Sequence, residues 1–217
     1  MIKKRIEIIP SLISMDITCM KESLKKIPSK VSMLHLDVMD GHYVENITFG
    51  PLFLRNIRKI TKKKIDVHLM ISYPEKYYSD FINAGADLIS FHPETALNPL
   101  NLIKKIKEKN VKVGLALNPD ISGQTIKKYL KHIDYVLIMS VFPGFSGQKF
   151  IESVLEKIDY FKCMQKKHNF RIEIDGGINS RTGRIAIQRG SEWIVTGSYL
   201  FKGKNVKSNI ERILHGE

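Results

Sequence analysis

Short apolar runs rich in β-branched residues alternate with longer segments of helical period along the whole chain. This alternation limits the fold more than any other feature, because strands joined through helices pair in parallel. Arg5–Pro10 reads as the first strand, followed by a helix from Asp16 to about Ile27. Met33–Met39 is the second strand, and the helix after it, Pro51 to Ile60, has Leu52, Leu54 and Ile57 as apolar positions. Ile65–Met70 and Asp87–Phe91 come next, separated by a helix that Pro74 opens and Gly85 closes. Helix Leu100–Lys109 leads to strand Val111–Leu117. Helix Ile121–Leu130, capped by Ser122, leads to strand Asp134–Val141. Helix Phe150–Gln165, strand Arg171–Ile174, a helix from Arg181 to Gln188 closed by Gly190, strand Glu192–Thr196 and helix Val206–Leu214 complete the series.

Eight such units, with no linker or low-complexity tract between them, predict one α/β domain over 1–217, a parallel (β/α)8 TIM barrel. A doubly wound open sheet fits less well. Ile9-Pro10-Ser11-Leu12-Ile13, after the first strand, lacks the glycine-rich turn that binds dinucleotides.

Side chains alternate faces along a strand. In Leu34-His35-Leu36-Asp37-Val38-Met39, this parity puts His35, Asp37 and Met39 on one face and the aliphatic residues on the other. A buried carboxylate needs a compensating charge, from a metal ion or a cationic partner. The pattern recurs in Asp66-Val67-His68-Leu69-Met70 and in Glu173-Ile174-Asp175. Chemistry in such barrels sits at the C-terminal strand ends, so His35, Asp37, His68 and Asp175 are expected to meet at one mouth, with Ser11 beside them. Asp66 and Glu173 share their register and are expected to support them through hydrogen bonds. His92 and Glu94 fit either an orienting role or ordinary strand-end hydrogen bonding. His42 is expected on a loop without a catalytic task, and His132, His168 and His215 on the surface.

Glycine-bearing turns follow the last three strands: Pro143-Gly144-Phe145-Ser146-Gly147-Gln148, Asp175-Gly176-Gly177 and Gly197-Ser198. Glycine lets backbone N–H groups converge on an anion, and the late loops of (β/α)8 barrels commonly take a phosphate.

The formal net charge is +13, which raises the question of nucleic acid. The lysines are scattered over presumptive outer helix faces, without an aromatic platform, so no nucleic-acid partner is expected. Their field would instead favour a small anionic substrate. No apolar run approaches a membrane span, and MIKKRIEIIP lacks the apolar stretch of a signal peptide. Cys19 and Cys163 lie far apart and outside any Cys-x-x-Cys pair, so a reduced, cytoplasmic chain is expected.

LHLDVMDGH, DVHLM, PGFSGQ, IDGGIN and the early Pro10-Ser11-Leu12 resemble, in order, the motifs of the ribulose-phosphate 3-epimerases. The similarity runs from about Ile8 to Phe201 and implies the ribulose-phosphate-binding type of barrel. It further implies one divalent metal on His35, Asp37, His68 and Asp175, with Asp37 and Asp175 as the acid/base pair. Zinc suits two imidazoles and two carboxylates, as do Fe2+, Mn2+ and Co2+. By the same resemblance, Ser11 and His68 would contact the sugar, and Met39, Met70 and Met139 would line the reacting carbon. The phosphate would meet Gly144, Phe145, Ser146, Gly147, Gly176, Gly177, Gly197 and Ser198. The expected reaction converts D-ribulose 5-phosphate to D-xylulose 5-phosphate, and a homo-oligomer, dimer or hexamer, is implied.

Phe142 and Ser146 depart from the family pattern. Ser14-Met15-Asp16 and His92-Pro93-Glu94-Thr95 lean toward the sister allulose-6-phosphate 3-epimerases, whose reaction is the same on a longer sugar. A barrel lyase or decarboxylase would be expected to carry an inward lysine, which strands two, three and seven lack. A non-catalytic phosphosugar- or nucleic-acid-binding barrel would be expected to break the acid/base set, which is complete here.

Overall fold

The computed structural model describes residues 6–202 and 205–215. Its elements run β1 (Glu7–Pro10), α1 (Met20–Lys25), β2 (Met33–Met39), α2 (Pro51–Ile60), β3 (Lys64–Met70), α3 (Tyr78–Ala84), β4 (Leu88–Phe91), α4 (Pro99–Glu108) and β5 (Lys112–Leu117). After a 3-10 segment at Gly123–Tyr129 come β6 (Tyr135–Met139), α5 (Leu155–Met164), β7 (Arg171–Asp175), α6 (Ser180–Arg189), β8 (Trp193–Thr196), α7 (Ser198–Phe201) and α8 (Val206–His215). Arg5, the expected start of the first strand, lies outside the described residues.

The eight strands form one parallel sheet in the order β1-β8-β7-β6-β5-β4-β3-β2. A single parallel bridge, Ser11 to His35, joins its two edges and closes the (β/α)8 barrel. The closure therefore falls beside Asp37. The outward residues Leu34, Leu36 and Val38 belong to the large apolar layer between sheet and helices. The inward residues Ile9, Leu88, Tyr135, Leu137, Trp193 and Val195 fill the barrel's own interior. Two apolar layers built from alternate residues of the same strands are what a period of two demands.

Several helices are shorter than the sequence suggests. The expected Asp16–Ile27 helix begins with a 3-10 turn at Ile17–Cys19, where the Asp16 side chain accepts from Thr18 N at 2.9 Å, and is α-helical only over α1. The Ile121–Leu130 helix is 3-10 throughout, although Ser122 caps it as expected by accepting from Gln124 N. The Phe150–Gln165 helix becomes α-helical only at Leu155, and the Pro74 helix opens as a 3-10 turn before α3. On α2, Leu54 and Ile57 are buried, but Leu52 is 69% exposed and is not part of the packed stripe. Among the described residues no helix is long and apolar enough to cross a membrane.

Candidate active site

Parallel pairing of β2 with β3 sets His35 beside Asp66, Asp37 beside His68, and Met39 beside Met70. On the other side, β6 and β7 set Met139 beside Asp175. The inward face thus rises in steps, and His35 stands at mid-strand rather than at the C-terminal end where the sequence placed it. Side-chain donors of His35, Asp37, His68 and Asp175 all lie within 4.8 Å of one another. His35 Nε2 is 3.3 Å from Asp37 Oδ1 and 3.8 Å from Asp175 Oδ2, and His68 Nδ1 is 3.4 Å from Asp37 Oδ1. Ser11 Oγ donates to Asp37 Oδ2 at 2.7 Å, so the ring-closing residue also orients the carboxylate.

His35 Nε2 and His68 Nδ1 are buried and make no hydrogen bond. Buried ring nitrogens ordinarily find a partner. Both are turned toward the same carboxylate oxygen, and the set of two nitrogens and two carboxylates is one that binds a divalent cation. The residues present fit such an ion.

Support comes from beneath. Asp66 Oδ2 lies 2.7 Å from His35 Nδ1, as expected of an orienting carboxylate. The Tyr135 hydroxyl donates to the other oxygen of Asp66. Tyr135 has room because Gly114 on the neighbouring strand lacks a side chain, and a Cβ there would stand 2.5 Å from the tyrosine ring. Nothing in the sequence pattern marked Tyr135 or Gly114. Glu173 is wholly buried beside them, its Oε1 3.7 Å from His35 Nδ1 and its carboxyl against that of Asp66. Burial, and then the charge of Asp66, push its carboxyl well above the usual range.

The aspartates differ sharply. Burial pushes Asp37 up, but the imidazoles of His35 and His68 outweigh it and hold the carboxyl well below the usual range. Burial raises Asp175, and the charge of Asp37 adds to this against His35, so that it reaches about 7. Burial lowers His68 to about 4, with neighbouring His92 acting in the same direction. For His35, burial acts downward but Asp37 and Asp66 overcome it and raise the imidazole.

A single cavity opens above this cluster, and Ser11, Asp37 and Asp175 form part of its wall. Met39, Met70 and Met139 line it, 6%, 1% and 2% exposed. Gly144, Phe145, Ser146, Gly147, Gly176, Gly177, Gly197 and Ser198 also line it. His35 and His68 lie below its floor. Every residue expected at the site is thus in the cavity wall or directly beneath it.

Residues unmarked in the sequence hold the turns in place. Ser140 Oγ donates to the carbonyls of Asp175 and Gly176 at 2.8 and 2.6 Å. Gln148 Nε2 donates to the carbonyls of Phe142 and Phe145, and Asn46 to that of Gly144. Phe142 and Phe145 are 52% and 59% exposed. His42 is on an exposed turn, donor-paired with Asp40 through its backbone, and His132, His168 and His215 are not buried.

The fold and this cluster define a class, the (β/α)8 barrels with two imidazoles and two carboxylates at the mouth. The model of the ribulose-phosphate 3-epimerase family matches residues 7–201, and the chain belongs to that family, an isomerase among barrel enzymes. It is 41% identical to the ribulose-phosphate 3-epimerase of Bacillus subtilis over 96% of this chain and 98% of the relative. It is 41% identical to that of Aquifex aeolicus over 94% of this chain and 93% of the relative. Among solved structures, the barrel superimposes on 3-keto-L-gulonate-6-phosphate decarboxylase from Vibrio cholerae with a TM-score of 0.72 at 12% identity, covering 97% of this chain and 98% of that one. It also superimposes on 3-hexulose-6-phosphate synthase from Salmonella typhimurium, with a TM-score of 0.69 at 15% identity, covering 95% and 96%. At those identities the likeness concerns the fold alone.

Proposed function

We propose that this protein interconverts D-ribulose 5-phosphate and D-xylulose 5-phosphate by inverting C3, with one divalent metal on His35, Asp37, His68 and Asp175. The observation that carries this reading is geometric: aspartates from β2 and β7 meet at one cavity, their oxygens and the nitrogens of His35 and His68 all within 4.8 Å of one another. Two carboxyls at one substrate site can take complementary acid and base roles.

Inverting a carbon next to a ketone means removing its proton from one face and returning one to the other. One fixed base cannot reach both faces. Asp37, kept ionised, is suited to take the C3 proton and leave an enediolate. Asp175, on β7, is suited to return a proton from its own side. The two sit on β2 and β7, with β1 and β8 between them in the sheet. Their roles exchange in the reverse direction. When bound, a divalent ion (Zn2+, Fe2+, Mn2+ or Co2+) supplies Lewis acidity that eases deprotonation beside the carbonyl. Ser11, in the cavity wall, contacts the sugar, whereas His68, wholly buried beneath the floor, acts through the ion. The three methionines exclude water without competing for the proton. Backbone N–H groups of the glycine turns at 144–147, 176–177 and 197–198 receive the phosphate. The enzyme acts in the cytoplasm, where Cys19 and Cys163, both free and exposed, stay reduced.

Steady-state assays with D-ribulose 5-phosphate and D-allulose 6-phosphate test this. The expected result is a much higher kcat/KM for the pentulose phosphate, abolished by stripping the metal. Preference for the hexulose phosphate would move the assignment to the sister reaction, and inactivity on both would overturn it.

A further inference from the structure

His92 follows β4 and is wholly buried. Its backbone carbonyl accepts from the Thr95 N–H and hydroxyl at 3.0 and 2.9 Å, so the strand end is satisfied without the ring. The ring instead meets His68 nitrogen to nitrogen, with Nε2 to Nε2 at 3.0 Å. Its other nitrogen, Nδ1, faces Glu94 Oε1 at 3.6 Å. Glu94 is held in turn by the Tyr43 hydroxyl at 2.8 Å and Asn118 Nδ2 at 3.2 Å. Tyr43 also packs on the His92 ring, 4.9 Å between centroids.

Two neutral imidazoles in contact through one nitrogen each share one proton, so one donates and the other accepts. Each ring carries a single N–H, and that choice therefore fixes the far nitrogen of both. In one arrangement His92 holds its proton on Nδ1, toward the Glu94 carboxylate, and accepts from His68 Nε2. The lone pair of His68 then sits on Nδ1, 3.4 Å from Asp37 Oδ1. In the opposite arrangement His92 turns a lone pair on a carboxylate, and His68 Nδ1 carries a hydrogen that bars it from any cation. Glu94 disfavours the second arrangement electrostatically.

We infer that His92 is a positioning residue, with Glu94 behind it: together they fix the tautomer of His68 so that its Nδ1 lone pair points into the four-donor cluster. The inference rests on the metal reading above. It assigns Glu94, in the 3-10 turn Pro93–Thr95 and partly exposed, an effect on a ligand it does not touch.

His92→Phe keeps the planar bulk and removes the acceptor. His92→Gln restores a carbonyl acceptor for His68 and an N–H donor for Glu94. Glu94→Leu removes the outer charge at a partly exposed position where folding is not at stake. Metal-stripped proteins are titrated with Zn2+ against a chromophoric chelator, with circular dichroism to confirm the fold and separate measurement of kcat and KM.

Wild type is expected to bind one equivalent. His92→Phe should bind 10- to 100-fold more weakly, the range typical of orienting groups behind metal ligands. His92→Gln should recover most of the affinity, and Glu94→Leu should weaken binding only where His92 is present. Activity should fall in kcat, with KM for the phosphosugar nearly unchanged. Folded His92→Phe with wild-type affinity would overturn the inference, as would equal loss in the Phe and Gln variants. Should His92→Phe fail to fold, unaltered affinity in Glu94→Leu would count against it in the same way. A wild type that binds no metal would remove the metal reading itself, and the inference with it.

Discussion

The β2–β3 wall of the cavity does its work with side chains, and the β6–β8 wall with backbone. On the first, His35, Asp37 and His68 are at most 5% exposed and held by strand pairing in register. On the second, Asp175 is the titratable group in the cavity lining, and above Met139 the surface carries glycine turns, with Gly144, Gly147, Gly176 and Gly177 at positive φ. The difference separates two tasks. Proton transfer needs groups whose charge is set by rigid neighbours, whereas an anion needs N–H groups brought close with no side chain between. Asp175, the last residue of β7, belongs to the second wall but reaches the first, with Oδ2 3.8 Å from His35 Nε2.

The largest expected effect would break this division at its chemical side. Asp37→Asn and Asp175→Asn should each lower kcat by roughly a thousand-fold or more, as loss of an essential acid or base does. Circular dichroism should show the fold retained in both. Exchange of the C3 proton with solvent deuterium, followed by NMR in each direction, checks the two-base assignment. A variant that still exchanges on both faces contradicts it.

A second set of substitutions probes the backbone wall. Gly177 has φ +59°, and a Cβ there would meet the backbone of Phe150 at 2.6 Å and of Gln148 at 3.0 Å. Gly147 is also left-handed, at φ +79°, but a Cβ there would meet nothing within 4 Å. Gly177→Ala should therefore lose roughly 2–4 kcal/mol of stability and raise KM for the phosphosugar several-fold, while Gly147→Ala should lose only about 1 kcal/mol. Denaturant melts and steady-state kinetics read both. Equal behaviour of the two would mean that close backbone approach is not what shapes this wall.

The two walls were also unequally legible in the sequence. Alternation along β2, β3 and β7 was enough to bring His35, Asp37, His68 and Asp175 together, because parity in a buried strand leaves no other choice of face. The glycine turns were visible as glycines, but not the Ser140, Gln148 and Asn46 bonds that hold them, since these join residues from separate loops. The same limit hid Tyr135, which reaches Asp66 across the barrel interior through space left by Gly114. Glu173 shows the converse: parity placed it correctly inward, yet its hydrogen bonding depended on neighbours that a linear pattern does not reveal. The Ile121–Leu130 segment has helical period and a good cap. A 3-10 helix offers nearly the same signals over so short a run, and the sequence could not separate the two.

A last prediction isolates Asp175, the titratable group in the lining of the backbone wall. In the metal-free protein its carboxyl is raised from an ordinary value of 3.8 to about 7, by burial first and by Asp37 second. The folded state therefore holds this proton more tightly than the unfolded chain. Its contribution to stability is fully present below the unfolded pKa and is lost as pH rises through the folded one. His68, lowered to about 4, acts in the opposite direction over part of the same range, so wild-type melts alone do not isolate the effect. Asp175→Asn removes the Asp175 contribution together with its coupling to Asp37, His35 and Glu173. Stability of metal-free wild type relative to this variant should fall between about pH 4 and 7, by roughly 4 kcal/mol at most. Parallel chemical melts of both proteins across that range measure it. A difference independent of pH would mean that Asp175 is ionised in the folded chain, and the two aspartates would then share one protonation state instead of dividing the roles of acid and base.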